Sequence, residues 1–551
     1  MRRGIQGFIG CVAASVTVFL GTACGSDRPN GTGPADAGPG DAAGVFSDTG
    51  TSTHGAPDTC AGAANARSYI GCDYWPTVLA NNVWDLFDYA VVVANGQDSD
   101  AKVTITGPNN VNQTQTVPAG GLKKFYLPWV KSLKGAESDS CGAATGMPAS
   151  VMAAGGAYHL VSSIPVSVFQ FNALEYKGVG GASNKNWGSC PGNSVCADPN
   201  SPNFGATNGC FSFSNDASLL LPSSAWTGNY RVTGQAGLGN EGNGVGSYFA
   251  VTASRDGTKV TVKLPNLQNT LPGSGITGTS GALTFALDAG DVAEIVAPPG
   301  TQHDLSGALV QSNQPVQVMA GTPCSVAGDN SNQLTCDHIE ESVFPAETLG
   351  KHYVVAPPTS PGGKVVGHLV RFYGNADTTN LSYAPSKPAG CPAKVNAGQV
   401  FQCDGIVATA FEVTGDHEFS VGSFMLSGQY QDGMSQVSKG DPSQSLPTAV
   451  EQYRAKYIFL APDDYDENWI DIVVPDGASV TVDDAPVTAK PTAIANGFGV
   501  VRHKLGPGID GAHTLAASKP VGLQVMGFGA YTSYHYPGGL DLNQIAPAPV
   551  K

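Results

Sequence analysis

The sequence predicts an all-β protein: about four tandem antiparallel β-sandwich-like modules, stapled by disulfides and preceded by a disordered N-terminal tether. Three observations carry that expectation. Seventy-one glycines and 38 prolines among 551 residues, with only 13% charged side chains, describe a turn-rich chain; long amphipathic helices carry many more Lys, Glu and Arg on their outer faces. Short runs alternate apolar and polar residues with period two, as in Lys102-Val103-Thr104-Ile105-Thr106. A fixed order of such runs also returns along the chain, and units of about 100 residues suit one sandwich each, being too long for propeller blades or solenoid turns.

Residues 1–24 read as an export signal. Arg2 and Arg3 supply its positive start, and Phe8 to Leu20 is an apolar stretch short for a permanent membrane span. It ends Leu20-Gly21-Thr22-Ala23-Cys24, which resembles the lipobox of bacterial lipoproteins, with Gly21 where a larger aliphatic residue is usual. The resemblance implies lipid on Cys24, and several acyl chains on one residue meet the requirement that stable anchoring takes more than one chain. Residues 25–59 are Gly, Ala, Pro, Asp, Ser and Thr with almost no apolar side chains, so they cannot offset the entropy of being ordered. As a flexible coil this tether spans on the order of 30 Å.

Ordered sequence is expected from Cys60, in modules 60–216, 217–345, 346–445 and 446–551. Tyrosine-led strands open them at Tyr89, Tyr248, Tyr353 and Tyr457. Closing strands follow at Ile164-Pro165-Val166, Gln314-Pro315-Val316, Glu418-Phe419-Ser420 and Lys519-Pro520-Val521, the third lacking the Pro-Val pair. A cysteine-bearing insertion, 177–216, lengthens the first module, and an aromatic tail ends the last.

Apart from Cys11 and Cys24, ten cysteines remain. Cys60/Cys72, Cys324/Cys336 and Cys391/Cys403 share one spacing, which suits local disulfides closing loops between neighbouring strands. Among the other four, Cys141 with Cys190 and Cys196 with Cys210 is the expected pairing. Disulfides are favoured over zinc, because the export signal implies an oxidising compartment and there is no Cys-x-x-Cys.

The net charge of −16, about −18 once Arg2 and Arg3 leave with the signal, repels phosphate backbones and makes nucleic acid an unexpected partner. Signatures of serine hydrolases, metalloproteases, phosphate loops and dinucleotide folds are absent, and no catalytic residue is assigned. The densest polar cluster is Cys336-Asp337-His338-Ile339-Glu340-Glu341. On a strand, His338 and Glu340 share one face and Asp337 and Glu341 the other. Such a set is a metal or acid/base candidate, but it reads better as structure, with carboxylates capping backbone N–H groups. Asp463, Asp464 and Asp466 form a second acidic run without the glycine of a calcium loop, and it reads as a solvated turn. No cofactor is expected, though these carboxylates leave room for a structural divalent cation. Trp75, Tyr531, Tyr534 and Tyr536 are candidates for stacking on a sugar or anchoring a protein, against a plainer role in packing the termini.

Ser68-Tyr69-Ile70-Gly71-Cys72-Asp73-Tyr74-Trp75-Pro76, the cluster Cys336 to Glu341 and Tyr536-Pro537-Gly538-Gly539 together resemble bacterial proteins of the IgGFc-binding-protein N-terminal domain family, over residues 60–545. The family defines no catalytic residues to carry over, and this chain has none of the cysteine-dense repeats of the mucus protein that gave the family its name. The expected function is a cell-surface lipoprotein, anchored in the outer membrane, displaying a β-rich binding or adhesion surface for an extracellular protein or glycan. The alternatives are an exported hydrolase of polysaccharide or peptide with a site near His338, Glu340 and Glu341, and a structural envelope component.

Overall fold

The computed structural model describes residues 57–549, except 184, 202, 241–242, 266–267, 328–335 and 434–437. The expected signal, Cys24 and all but the last residues of the tether lie outside the described residues. What is described belongs to one unit, Thr49–Lys551, built almost entirely of antiparallel strands.

One long strand organises each of four successive runs of sheet: His159–Asn172, Leu309–Ser325, the broken pair Phe411–Gly415 and Phe419–Met425, and Ala512–Gly529. Its first half pairs with Gly71–Tyr74, Thr227–Arg231, His352–Val355 and Arg454–Leu460 in the respective runs. The second half pairs with Tyr89–Ala94, Tyr248–Ala253, His368–Gly374 and Glu467–Pro475. The long strand therefore passes from one layer of a sandwich into the other. Burial follows. In His159–Asn172 the first residues alternate between buried and exposed, and from Pro165 onward every residue is buried, which is why the sequence changes from His-Leu-Val-Ser-Ser to Val-Ser-Val-Phe-Gln-Phe. Pro165, Pro315 and Pro520 mark the crossing, where a residue without an N–H costs the ladder nothing. The third run has no proline there and its strand breaks between Gly415 and Phe419.

A tyrosine locks each crossing. Tyr74 pairs with Leu160, Tyr230 with Val310, Tyr353 with Val413 and Tyr457 with Leu515. Each hydroxyl donates to a carbonyl farther along the same long strand: Val166, Val316 and Phe419 at 2.6 Å each, and Val521. In three of them the hydroxyl also accepts the amide three residues back, from Thr227 (3.2 Å), Gly350 (3.3 Å) and Arg454 (3.0 Å). These contacts correct the expected openings. Tyr353 and Tyr457 occupy the clasping strand, but Tyr89 and Tyr248 lie in the strand against the second half of the long strand. Their counterparts in the clasp are Tyr74 and Tyr230. The two strands look alike in sequence because both are short, tyrosine-containing and flanked by β-branched residues.

The ten cysteines from Cys60 to Cys403 are all paired. Within the insertion the partners differ from expectation: Cys141 pairs with Cys196 and Cys190 with Cys210. A single turn at Trp187–Ser189 sets Cys190 beside the bridged segments Lys177 and Phe211. The loop after Cys196 folds back on itself and its Asn203 donates to the Cys141 carbonyl at 3.1 Å. Spacing alone could not find this, because the loop reverses between the two pairs.

After each long strand the chain returns along it as a short inner strand: Asp216–Leu219, Asp337–Ser342, Gln444–Ser445 and Thr532–Pro537. The first lies beside the second and fourth, and the third lies beside the second and fourth as well. The four inner strands thus close a ring about a common centre.

Candidate functional site

The ring brings one backbone-binding carboxylate to its middle. Asp216, on the first inner strand, accepts through Oδ2 the amides of Glu340 (3.1 Å) and Gln444 (3.0 Å), and through Oδ1 those of its neighbour Ala217 (2.9 Å) and of His535 (3.4 Å). Those donors come from all four inner strands. Burial pushes the Asp216 carboxyl well above the usual carboxylate range, while the amides of Gln444, Ala217 and Glu340 pull it back.

Around this pin sits the cluster read from the sequence. His338 and Glu340 share a face, as strand geometry requires, with Nε2 of the histidine 3.0 Å from Oε2 of the glutamate. Glu340 also accepts from Ser218 Oγ (2.9 Å), Gln170 Nε2 (3.2 Å) and Asn172 Nδ2. Asp337 accepts from Thr532 Oγ1 at 3.3 Å; burial, then the charges of Asp441 and Asp216, pushes its carboxyl well up. Glu341 accepts the amide of Ser342 at 2.8 Å and is likewise raised by burial. Asp337, His338, Glu340 and Glu341 are each 0% exposed, so their partners are inner strands and neighbouring side chains rather than solvent. Among the described residues no group of three His, Cys, Asp or Glu is placed to hold a metal ion.

The run Asp463, Asp464 and Asp466 meets lysines. Lys124 contacts Asp463 (2.7 Å) and Asp464 (2.5 Å), and Asp466 faces Lys177 (3.4 Å), Lys439 (3.5 Å) and the hydroxyl of Tyr176. Those partners come from the first and third runs of sheet, so the acidic loop of the fourth ties its neighbours together. Of the aromatic candidates, Tyr534 and Tyr536 are fully buried and donate to Asn468 Oδ1 (2.8 Å) and the Leu460 carbonyl (2.6 Å). Trp75 is nearly buried, stacked on His159 at 4.1 Å, with its indole N–H on Asp73. Tyr531 turns the last hairpin and packs against Phe211 and Phe213.

Sequence reading missed Asp216, Gln170, Asn172 and Ser218. A signal for two of them existed: Gln170 and Asn172 interrupt the apolar Val168-Phe169-Phe171 run two residues apart, hence on one face of a strand that has no other polar neighbour there.

Two surfaces remain open. The first is formed, among the described residues, where long strands lead into inner strands: 173–183, 185–201 and 203–215 in the first run, 326–327 and 336 in the second, 426–433 and 438–443 in the third, and the tight turn at Tyr531 in the fourth. They converge. Phe211 and Phe213 touch Tyr531, Tyr531 N–H donates to the Ser438 carbonyl (3.0 Å), and Ser427 N–H donates to the Ala327 carbonyl (3.1 Å). The segments carry the exposed apolar side chains Val179, Val195, Phe204 and Tyr430. The second is a groove of about 1080 Å³ on the outer sheet of the second run, bordered by Lys259, Lys263 and Gln311.

A family model described as IgGFc binding protein matches residues 216–527, more than half of the chain. The chain belongs to the IgGFc binding protein family. The matched region of this family member begins at Asp216 itself and takes in every inner-strand partner of that residue except His535. The human IgGFc-binding protein is 31% identical over 116 residues, which is 19% of this chain and 2% of that protein, so the chain spans a small fraction of its relative's length. Among solved structures, an anti-sigma factor domain-containing protein from Clostridium clariflavum is 15% identical, with 55% of this chain and 78% of that one covered, at a TM-score of 0.10. A tetra-tandem repeat from the extending region of a large adhesion protein is 11% identical, with 86% and 99% covered, at a TM-score of 0.09. Superpositions this loose support no structural argument about the IgGFc binding family.

Proposed function

We propose that this protein is exported, held in the outer membrane by lipid on Cys24, and uses its ring of sheets to present a binding surface to an extracellular protein. One observation supports the reading most. The described residues of the segments that vary in length between otherwise equivalent runs meet one another, at Phe211 and Phe213 with Tyr531, Tyr531 with Ser438, and Ser427 with Ala327, while the inner strands that hold them are pinned by Asp216. A rigid scaffold carrying variable loops is the usual arrangement of binding proteins, and exposed Phe204 and Tyr430 are of the kind that anchor protein partners. Membership of a family named for binding agrees. A hydrolase centred on His338, Glu340 and Glu341 would need the ring to open before substrate met them.

The binding surface is tested on an extracellular protein array, comparing the purified chain with the variants Phe204→Asp and Tyr430→Asp. A ligand retained by the parent and lost by either variant, with folding unchanged, supports the reading; an array without ligands sinks it. The anchor is tested separately by palmitate labelling of the parent and Cys24→Ser, followed by protease shaving of intact cells. An unlabelled parent removes the anchor.

A further inference from the structure

The outer sheet of the second run carries a patch whose chemistry differs from the rest of this acidic chain. Thr258–Lys263 has the pattern Thr-Lys-Val-Thr-Val-Lys, so Val260 and Val262 enter the core while Lys259, Thr261 and Lys263 point outward. Across the ladder Thr261 faces Gln311, and Gln311 faces Asn229. Asn313 follows on the Gln311 strand. All six border the groove of about 1080 Å³, and among the described residues no Asp or Glu lines it. Its amides are already oriented: Gln311 Nε2 donates to Asn229 Oδ1 at 3.1 Å, and Asn313 Oδ1 accepts the Lys259 amide at 2.7 Å. The Glu347 carboxylate beside Asn229 accepts from Thr227 Oγ1 and Asn229 Nδ2, and Gln311 Nε2 also reaches the Pro549 carbonyl at 3.5 Å.

The same register in the first run shows what is particular here. Thr104 faces Val161, and Val161 faces Asp73. Asp73 thus stands where the second run has Asn229, Val161 replaces Gln311, and Thr106 replaces Lys263. One run offers a carboxylate and a single lysine, Lys102; the other offers amides and two lysines about 13 Å apart along the strand.

We infer that this groove binds an acidic polysaccharide, a glycan carrying carboxylates at intervals along its chain. The ammonium groups of Lys259 and Lys263 meet successive carboxylates, and the Asn229, Gln311 and Asn313 amides, each both donor and acceptor, meet the ring hydroxyls between them. Among the described residues the lining has no aromatic side chain for stacking a neutral sugar and no Trp, Tyr or Arg to anchor a protein. Its bordering groups lie on a sheet face, so an added peptide strand would find side chains there and not free backbone. The inference is independent of the loop surface above, which engages a protein elsewhere on the molecule.

The test titrates the purified full chain with polygalacturonate, neutral dextran and poly-L-glutamate, in parallel with the double variant Lys259→Glu/Lys263→Glu and the control Lys102→Glu. Circular dichroism and thermal melting verify folding, and Lys259→Gln/Lys263→Gln replaces the double variant if it fails to fold. The expected result is binding of polygalacturonate by the parent and by Lys102→Glu, at least tenfold weaker in the double variant, with no binding of dextran and weaker binding of polyglutamate. Absent polygalacturonate binding, equal binding by the double variant, or polyglutamate binding as tight as polygalacturonate each overturns the inference. Loss of an array ligand on Phe204→Asp with polygalacturonate binding intact separates this site from the loop surface.

Discussion

The carboxylate of Asp216 accepts the backbone N–H of Gln444 at 3.0 Å, joining residues 228 apart in sequence. The amides of Glu340 and His535 reach the same side chain, so one residue satisfies donors on three other strands. Removing it leaves buried N–H groups without partners, each costing about 1–3 kcal/mol. Asp216→Ala is expected to destabilise the fold by at least 3 kcal/mol, measured as a lower midpoint in urea. A loss below about 1 kcal/mol would mean that the ring closes without this pin.

The tyrosine clasp gives a smaller and repeated effect. In Tyr353→Phe the Phe419 carbonyl loses its donor and the Gly350 amide its acceptor while the ring packing stays. A loss of about 2 kcal/mol is expected, and Tyr230→Phe and Tyr74→Phe should behave alike. Tyr430→Phe, at an exposed position, should melt with the parent; equal losses for all four would show that the hydroxyls are not what locks the crossings.

Stability should fall as pH rises from about 6.5 to 8. Burial holds the carboxyls of Glu294 and Asp441 up to about 8, well above their unfolded values. A raised folded pKa means that the native state keeps protons the unfolded chain has lost, so its contribution is complete in acid and disappears as pH climbs through that value. His368 and His535 act in the opposite sense. Burial lowers both to about 3, and their contribution is lost as pH drops below the ordinary histidine range. Above about 6.5 the histidines are largely neutral in both states. The slope is then set by these carboxyls with Glu175, also raised to about 8, on the order of 1 kcal/mol per pH unit for each, opposed near the top of the window by Lys134, which burial lowers to about 8. Glu294→Gln should flatten the midpoint-against-pH curve; a curve that rises across this window would contradict the burial of these acids.

Peptide mapping without reduction should recover Cys141 linked to Cys196 and Cys190 linked to Cys210. Removing the first link opens the longer loop and should cost about 4 kcal/mol, against about 3 kcal/mol for Cys391 with Cys403. Recovery of a Cys141–Cys190 peptide would instead restore the pairing that spacing suggests.

The strand content and three of the disulfides were legible because each depends on neighbours in sequence: period-two runs, Gly and Pro turns, and cysteines twelve residues apart. The hub was half legible. His338 and Glu340 stand out as charged residues in a strand, but Asp216 lies in Asn215-Asp216-Ala217-Ser218, indistinguishable from a loop. Its meaning comes only from inner strands more than a hundred residues away. The Tyr89 and Tyr248 openings misled for the converse reason: local pattern identifies a strand but not which half of the long strand it meets.

Where the chain enters the described fold, Tyr69 N–H donates to the Leu540 carbonyl, Leu542 N–H donates to the Arg67 carbonyl, and Ser68 bridges Asp541. Residues 67–69 are therefore stitched along the segment 540–542, with Arg454 holding Asp541 from the other side. Residues 67–69 lie within the loop that the Cys60–Cys72 disulfide closes, so tension drawn on the chain ahead of Cys60 passes through that disulfide to Cys72 in the strand Gly71–Tyr74, and the stitched residues carry none of it. A chain pulled from that end would hand its load to the first sheet through a covalent link, while the stitched residues stayed slack and kept the last segment in place.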